Sequence, residues 1–254
     1  MVFARAGHEV HALDAIDLVV PDGEFVAIVG PSGCGKSTLL KLVSGLRAPT
    51  AGRISVYGRP VAGPRADVGI VFQSPVLLPW RTVLDNVMLP IDVLRLEKSG
   101  FRQKARELLA LVGLAGFEMA YPQELSGGMQ QRAAIARALV YDAPLLMMDE
   151  PFGALDAMTR EQMNLEVQRI WRASGKTIIF ITHSISEAVF LADRIVVMSP
   201  RPGRVLKVLE NPMPRLRGLD DMLTPGFGEL VREIRHLLGG HASAAAGEAN
   251  HAGW

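Results

Sequence analysis

Cysteine is nearly absent from the 254 residues: there is one, Cys34. No internal disulfide can form, and a reducing cytosol is the simplest setting. No uninterrupted apolar run reaches the roughly 18 residues that a membrane span needs. The first residues carry Glu9, Asp14 and Asp17 and hold no apolar core of the signal-peptide kind. Charge imbalance is missing too: the net charge is +1, so nothing in the balance calls for nucleic acid or an anionic membrane surface. There is no internal repeat. What is present is ordinary globular composition, 49% hydrophobic and 21% charged, enough to bury a sizeable core. These features predict a soluble, non-secreted protein, with docking on a membrane through another chain still open.

Short apolar runs read as buried strands: "FVAIVG" (25–30), "VGIVFQ" (68–73), "LLMMDE" (145–150), "TIIFITH" (177–183) and "RIVVMS" (194–199). Helical patterns separate most of them, as in "KSTLLKLVSGL" (36–46) and "AMTREQMNLEVQRIWRAS" (157–174). Strands alternating with helices predict an α/β fold with a parallel sheet. Between Gln73 and Ser126 the pattern turns helical, in "TVLDNVMLPIDVLRL" and "FRQKARELLALVGL". The expected organisation is one domain over 1–238. Its core spans about 1–74 and 141–238, a helical subdomain is inserted at about 75–140, and a disordered low-complexity tail covers 239–254.

"GPSGCGKST" (30–38) fits G-x-x-x-x-G-K-[ST], with an apolar strand before it and a helix after it. Backbone N–H groups of Gly30, Pro31 to Gly35 and the following turn can ring a β-phosphate, proline itself excepted. Lys36 can reach the β- and γ-phosphates, and the Ser37 hydroxyl can ligate Mg²⁺. Cys34 fills an unconstrained position as a small side chain. In an open α/β sheet the ligand lies beyond the carboxyl ends of the strands. Asp149 and Glu150, Gln73 and His183 stand at such ends. Asp149 would hold Mg²⁺, directly or through water, and Glu150 would accept a proton from the attacking water or orient it. Gln73 could touch Mg²⁺ or that water, and His183 could hydrogen-bond the γ-phosphate. Phosphoryl transfer asks mainly for such positioning and charge stabilisation. "ELSGGMQQRAAIARALV" (124–140) reads as a helix capped by Ser126 and entered through Gly127 and Gly128. A bare helix start of this kind suits an anion.

In this order the motifs resemble the ATP-binding cassette, or ABC, ATPases. "GPSGCGKST" is similar to their Walker A loop, Gln73 to their Q-loop, "LSGGMQQR" to their signature and "LLMMDE" to their Walker B strand. "GALD" (153–156) is similar to the D-loop and His183 to the switch histidine. The resemblance runs from about Phe3 to about Leu238. It implies a P-loop NTPase core of the RecA-like kind, with a small antiparallel β-subdomain at the N-terminus and an inserted helical subdomain. It implies ATP held by residues 30–38 including Thr38, and Mg²⁺ by Ser37, Gln73 and Asp149. Phe3 would stack on adenine, with only Met1 and Val2 before it to form the first strand. Ser126, Gly127, Gly128, Gln130 and Asp156 would serve the ATP of a second cassette in a head-to-tail homodimer.

"LLPWRTVLDNV" and "SEAVFLADRIVVMSPRPGRV" are similar to the nitrate/sulfonate/taurine group of bacterial import ATPases. That implies a peripheral protein at the cytoplasmic side of the inner membrane. It would pair with permease subunits, and indirectly with a substrate-binding protein. Leu77, Leu78 and Trp80 are either packing of the helical segment or a permease contact, and "PRPGRV" (200–205) reads as a turn. DNA-repair ATPases of this type need a long coiled coil between Walker A and signature; Ser126 follows Lys36 by 90 positions, too few for one. A non-catalytic module is disfavoured by the presence of Glu150 and His183.

Overall fold

The computed structural model describes residues 1–5 and 8–249, with side chains at 1–2 and 10–240. The chain opens with β1 (Val2–Arg5) and β2 (His8–His11), then β3 (Phe25–Val29), α1 (Lys36–Val43), β4 (Ser55–Val56) and β5 (Arg59–Pro60). β6 (Val68–Val71) leads into four helices, α2 (Val83–Val87), α3 (Leu89–Val93), α4 (Ser99–Leu111) and α5 (Gly127–Leu139). β7 (Leu145–Asp149), α6 (Ala157–Ser174), β8 (Thr177–Thr182), α7 (Ile185–Leu191), β9 (Arg194–Met198), β10 (Val205–Glu210) and α8 (Pro225–Ala249) complete it. The elements fall into two compact units. One is Met1–Arg65 with the chain from Ile179 onward, and the other is Ala66–Ile178.

In the first unit the strands lie in the order β10-β9-β3-β8. β3 runs parallel to β9, from Val26 opposite Arg194 to Val29 opposite Val197. Every residue of β3 is buried and apolar, as a strand covered on both faces requires. α7 packs on β3, and α8 packs on α7 and β9. Phe25 and Phe180 tilt against each other with ring centroids 5.8 Å apart. β1 and β2 form a separate antiparallel pair, as do β4 and β5. β10 was not among the expected strands. It lies at the sheet edge, antiparallel to β9, with most of its residues partly or fully exposed. The small-residue segment from Gly239 enters as the last turns of α8, which is helical to Ala249. Alanine is the best helix former, and a helix already nucleated extends at little cost. Residues 250–254 lie outside the described ones.

In the second unit β6 and β7 pair in parallel, from Val68 opposite Leu145 to Val71 opposite Met148. α5 packs on β6, α2 and α4. This unit takes in the helical segment expected over 75–140 together with β6, β7 and α6. "TVLDNVMLPIDVLRL" folds as two short helices rather than one. Thr82 caps α2 by accepting from the Asp85 N–H at 3.2 Å, and Pro90 sits in the first turn of α3, where its missing N–H costs nothing. Leu77 and Leu78 are half-buried, while Trp80 is 72% exposed. No helix among the described residues is long and apolar enough to cross a membrane.

Candidate active site

In the first unit β3 delivers the chain into Gly30. A Cβ there would stand 2.9 Å from Cys34 Sγ and 3.1 Å from Met198 Cβ, so the loop turns against its own floor. Gly33 and Gly35 take left-handed φ of +77° and +105°, which glycine adopts without a Cβ penalty. Gly35 is also the N-cap of α1 and has no side chain to cap with, so the first-turn amides are left to other acceptors. Lys36 opens α1 and is only 6% exposed. Its ammonium donates to the carbonyls of Gly30 at 2.8 Å and Pro31 at 3.1 Å. Ser32 and Gly33 are exposed, and Ser37 and Thr38 are half-buried. A glycine-bearing loop that leads into a helix start without a side-chain cap, with a lysine ammonium folded back on it, fits a polyphosphate. Cys34 is buried as a small floor residue.

His183 follows β8 and is exposed. The residues after it are held tightly. Thr182 donates its hydroxyl to the Glu187 carboxylate at 2.6 Å and accepts from Ser184 N–H at 3.0 Å. Ser184 caps α7, accepting from Glu187 N–H at 3.3 Å, the work an aspartate would do there. Phe3 is paired with Val10 in the β1–β2 register. Its side chain lies outside the described residues.

In the second unit the parallel register brings the carboxyl ends of β6 and β7 to one edge. Gln73 Nε2 donates to Glu150 Oε2 at 3.4 Å. Asp149 is buried at the end of β7. Glu150, the next residue, has φ +46°, the left-handed region that L side chains rarely enter. Such strain gathers at functional sites. Ser126 caps α5 as expected, accepting from Met129 N–H at 3.3 Å. A Cβ on Gly128 would meet Leu155 and the Ala154 carbonyl at 3.3 and 3.4 Å, whereas a Cβ on Gly127 would meet nothing within 4 Å. Gln130 donates to the carbonyls of Pro122 and Leu125, bracing the entry to α5. Asp156 caps α6, and the backbone N–H of Thr159, then its hydroxyl, hold this carboxyl below its usual range.

Two further residues of α5 were not singled out by sequence. Gln131 donates to the Phe72 carbonyl at 3.1 Å, and Arg137 forks onto the carbonyls of Pro75 and Val76 at 2.8 Å each. Burial pushes the Arg137 guanidinium below its usual value. A buried arginine in an alanine-rich helix, with no acid on its own face, was the available signal. Among the described residues no group of three or more His, Cys, Asp or Glu is placed to hold a metal. Ser37 in the first unit offers a hydroxyl and Asp149 in the second a carboxylate, each a hard oxygen donor of the kind Mg²⁺ takes.

A family model described as ABC transporter matches residues 13–153. An uncharacterized ABC transporter ATP-binding protein of Methanocaldococcus jannaschii is 46% identical over 237 residues, 93% of this chain and 88% of the relative. The taurine import ATP-binding protein TauB of Rhizobium johnstonii is 48% identical over 240 residues, 92% of each chain. Among solved structures, an ATP-binding cassette captured as a dimer in a post-hydrolysis state with ADP and Pi superimposes with a TM-score of 0.75. It is 35% identical and covers 86% of this chain and 96% of its own. Identity at this level over nearly the whole length, on a mostly parallel α/β sheet with small antiparallel appendages, carries the P-loop NTPase fold and the ATPase activity with it. The chain therefore belongs to the ABC transporter family, as one of its ATP-binding cassette ATPases.

Proposed function

We propose that this ATPase drives an importer, as a head-to-tail homodimer docked on two permease subunits at the cytoplasmic face of the inner membrane. The solute belongs to the taurine, sulfonate and nitrate class, and a substrate-binding protein delivers it without touching this chain. The taurine import relatives support the direction and the class. Trp80 at 72% exposure and Val76 at 59% support a permease contact, since large apolar side chains held in water favour a partner. Nucleic acid has no part in this reading.

The observation that carries the head-to-tail reading is Gly127. Its glycine serves neither packing, since nothing lies within 4 Å of its missing Cβ, nor a left-handed backbone. What it permits is close approach by a group from outside the chain, at the start of a helix that favours an anion. In this reading Ser126, Gly127, Gly128 and Gln130, with Asp156 next to the Leu155 that lies against Gly128, serve ATP bound to the partner's phosphate loop.

Within each cassette, residues 30–38 hold the triphosphate and Lys36 offsets its charge. Ser37 and Asp149, with Gln73, are the residues that would hold Mg²⁺, which when bound would offset phosphate charge. Glu150 orients the attacking water and accepts its proton as the water oxygen bonds to the γ-phosphorus and ADP leaves. Gln73 steers the Glu150 carboxylate, and His183 hydrogen-bonds the γ-phosphate. Phe3 stacks on adenine.

Mixing two dead variants tests the trans arrangement. Lys36→Ala and Ser126→Arg each break every site of their own homodimer. In the heterodimer one site joins the intact loop of one chain to the intact Ser126 helix of the other. Single-turnover hydrolysis is expected only in the mixture. No recovery, in a mixture shown to contain heterodimer, refutes the head-to-tail reading.

A further inference from the structure

The loop between β9 and β10, residues 199–204, reads in sequence as a plain turn, and the activity has no assigned use for it. Ser199 N–H donates to the Arg204 carbonyl at 2.9 Å and closes the loop. The loop then reaches back across the first unit to two targets. Gly203 N–H donates to the Ala12 carbonyl, and Gly203 accepts from Asp14 N–H, both at 3.0 Å. Arg204 pairs with Asp14 at 2.6 Å. The same stretch presses on the phosphate loop. A Cβ on Gly203 would collide with the Cys34 carbonyl oxygen, and Arg201 Nε donates to the Gly33 carbonyl at 3.3 Å. One peptide unit of the phosphate loop is thus bonded, and the next closely approached, from outside the loop. They lie between the left-handed Gly33 and Gly35, the residues whose conformation decides where the loop amides point.

We infer that Arg201 is a positioning residue for nucleotide, fixing the Gly33 peptide so that the phosphate loop is set before ligand arrives. The inference rests on the reading of residues 30–38 as the ATP site. Arg201 itself is exposed, and its Nε contributes a hydrogen bond at one loop carbonyl rather than core packing. Losing that bond lets the Gly33 turn sample other states, and binding must then select the right one. Affinity falls while the fold does not.

Glutamine makes the decisive comparison. Its Nε2 lies the same number of bonds from the backbone as arginine Nε, so Arg201→Gln keeps the donor and removes the charge, while Arg201→Ala removes both. The measurement is MgATP binding to the full-length chain by titration, with thermal unfolding of the nucleotide-free protein alongside. Arg201→Ala is expected to raise Kd about fivefold, the worth of one exposed hydrogen bond, with an unchanged melting temperature. Arg201→Gln is expected to restore Kd to within about twofold of wild type. An Arg201→Ala protein that binds like wild type overturns the inference. So does an Arg201→Gln protein as weak as Arg201→Ala, which would make charge the agent, or a melting temperature that falls in step with affinity. Lys36→Ala separates this from the parent reading: if it binds MgATP as tightly as wild type, the phosphate-loop assignment itself has failed.

Discussion

Glu150 holds a backbone conformation that its own side chain penalises, and the penalty can be isolated by two substitutions. At φ +46° the Cβ crowds the backbone at a cost of about 1–2 kcal/mol for an L residue. Glu150→Ala deletes the carboxylate and its 3.4 Å contact with Gln73 but keeps the Cβ. Glu150→Gly deletes the Cβ as well. Comparing the two variants cancels the lost side-chain contacts and leaves the steric term against the extra chain entropy of glycine, about 0.5–1 kcal/mol. Glycine is therefore expected to be the more stable by roughly 0.5–1 kcal/mol, reversing the usual order, in which alanine at a compatible site wins by about 0.4–1 kcal/mol. For a chain of this length that is about 2 °C in melting temperature. The assay is thermal unfolding by circular dichroism of both variants without nucleotide. Hydrolysis is expected to be lost in both, by about a hundredfold or more, so the stabler protein is as inactive as its counterpart. An alanine variant as stable as the glycine variant refutes the claim that strain is stored at this position.

Glu150→Gln keeps shape and removes the carboxylate proposed as the base; it is expected to bind ATP, hydrolyse it at least about a hundredfold more slowly, and elute as an ATP-dependent dimer on size exclusion. Gly45→Ala is expected to unfold the protein at a markedly lower denaturant midpoint, by about 3 kcal/mol or more, because its Cβ would run into the Gly63 carbonyl at a left-handed φ of +74°. Asp92 is held below its usual range first by Lys98 and then by Arg81, so its charged form stabilises the fold above the normal carboxylate pKa and that contribution fades as pH falls through the depressed one. Asp92→Asn is expected to be less stable than wild type by up to about 1 kcal/mol at pH 7, with the gap closing in acid, as read from urea midpoints across pH.

Local signals were legible where local physics decides. β3 and the first four residues of β7 are continuous apolar runs, and α6 occupies the expected 157–174, bounded by the Asp156 cap and a left-handed Gly175. Ser126 could be read as a cap because the serine, the glycines and the helix that follows are neighbours in the chain. β10 escaped because an edge strand needs little burial and leaves little pattern; only Leu209 of its six residues is buried. The split between α2 and α3 escaped because both halves carry the same helical spacing. The grip of Arg201 on Gly33 spans 168 positions, and the φ of Glu150 is a property of the folded turn; neither is encoded in any short window.

The hold of α5 on residues 72–76 has a mechanical consequence. Gln131 takes the carbonyl just before Gln73, and Arg137 takes two carbonyls just after it. Three such bonds, two from a charged group, together contribute roughly 4–7 kcal/mol, against thermal energy of about 0.6 kcal/mol. Helix and strand exit are consequently tied together on both sides of Gln73. Exposed Val76 is thereby tied through its own carbonyl to the helix that Ser126 caps, and the glutamine facing Glu150 lies inside the same clamped stretch.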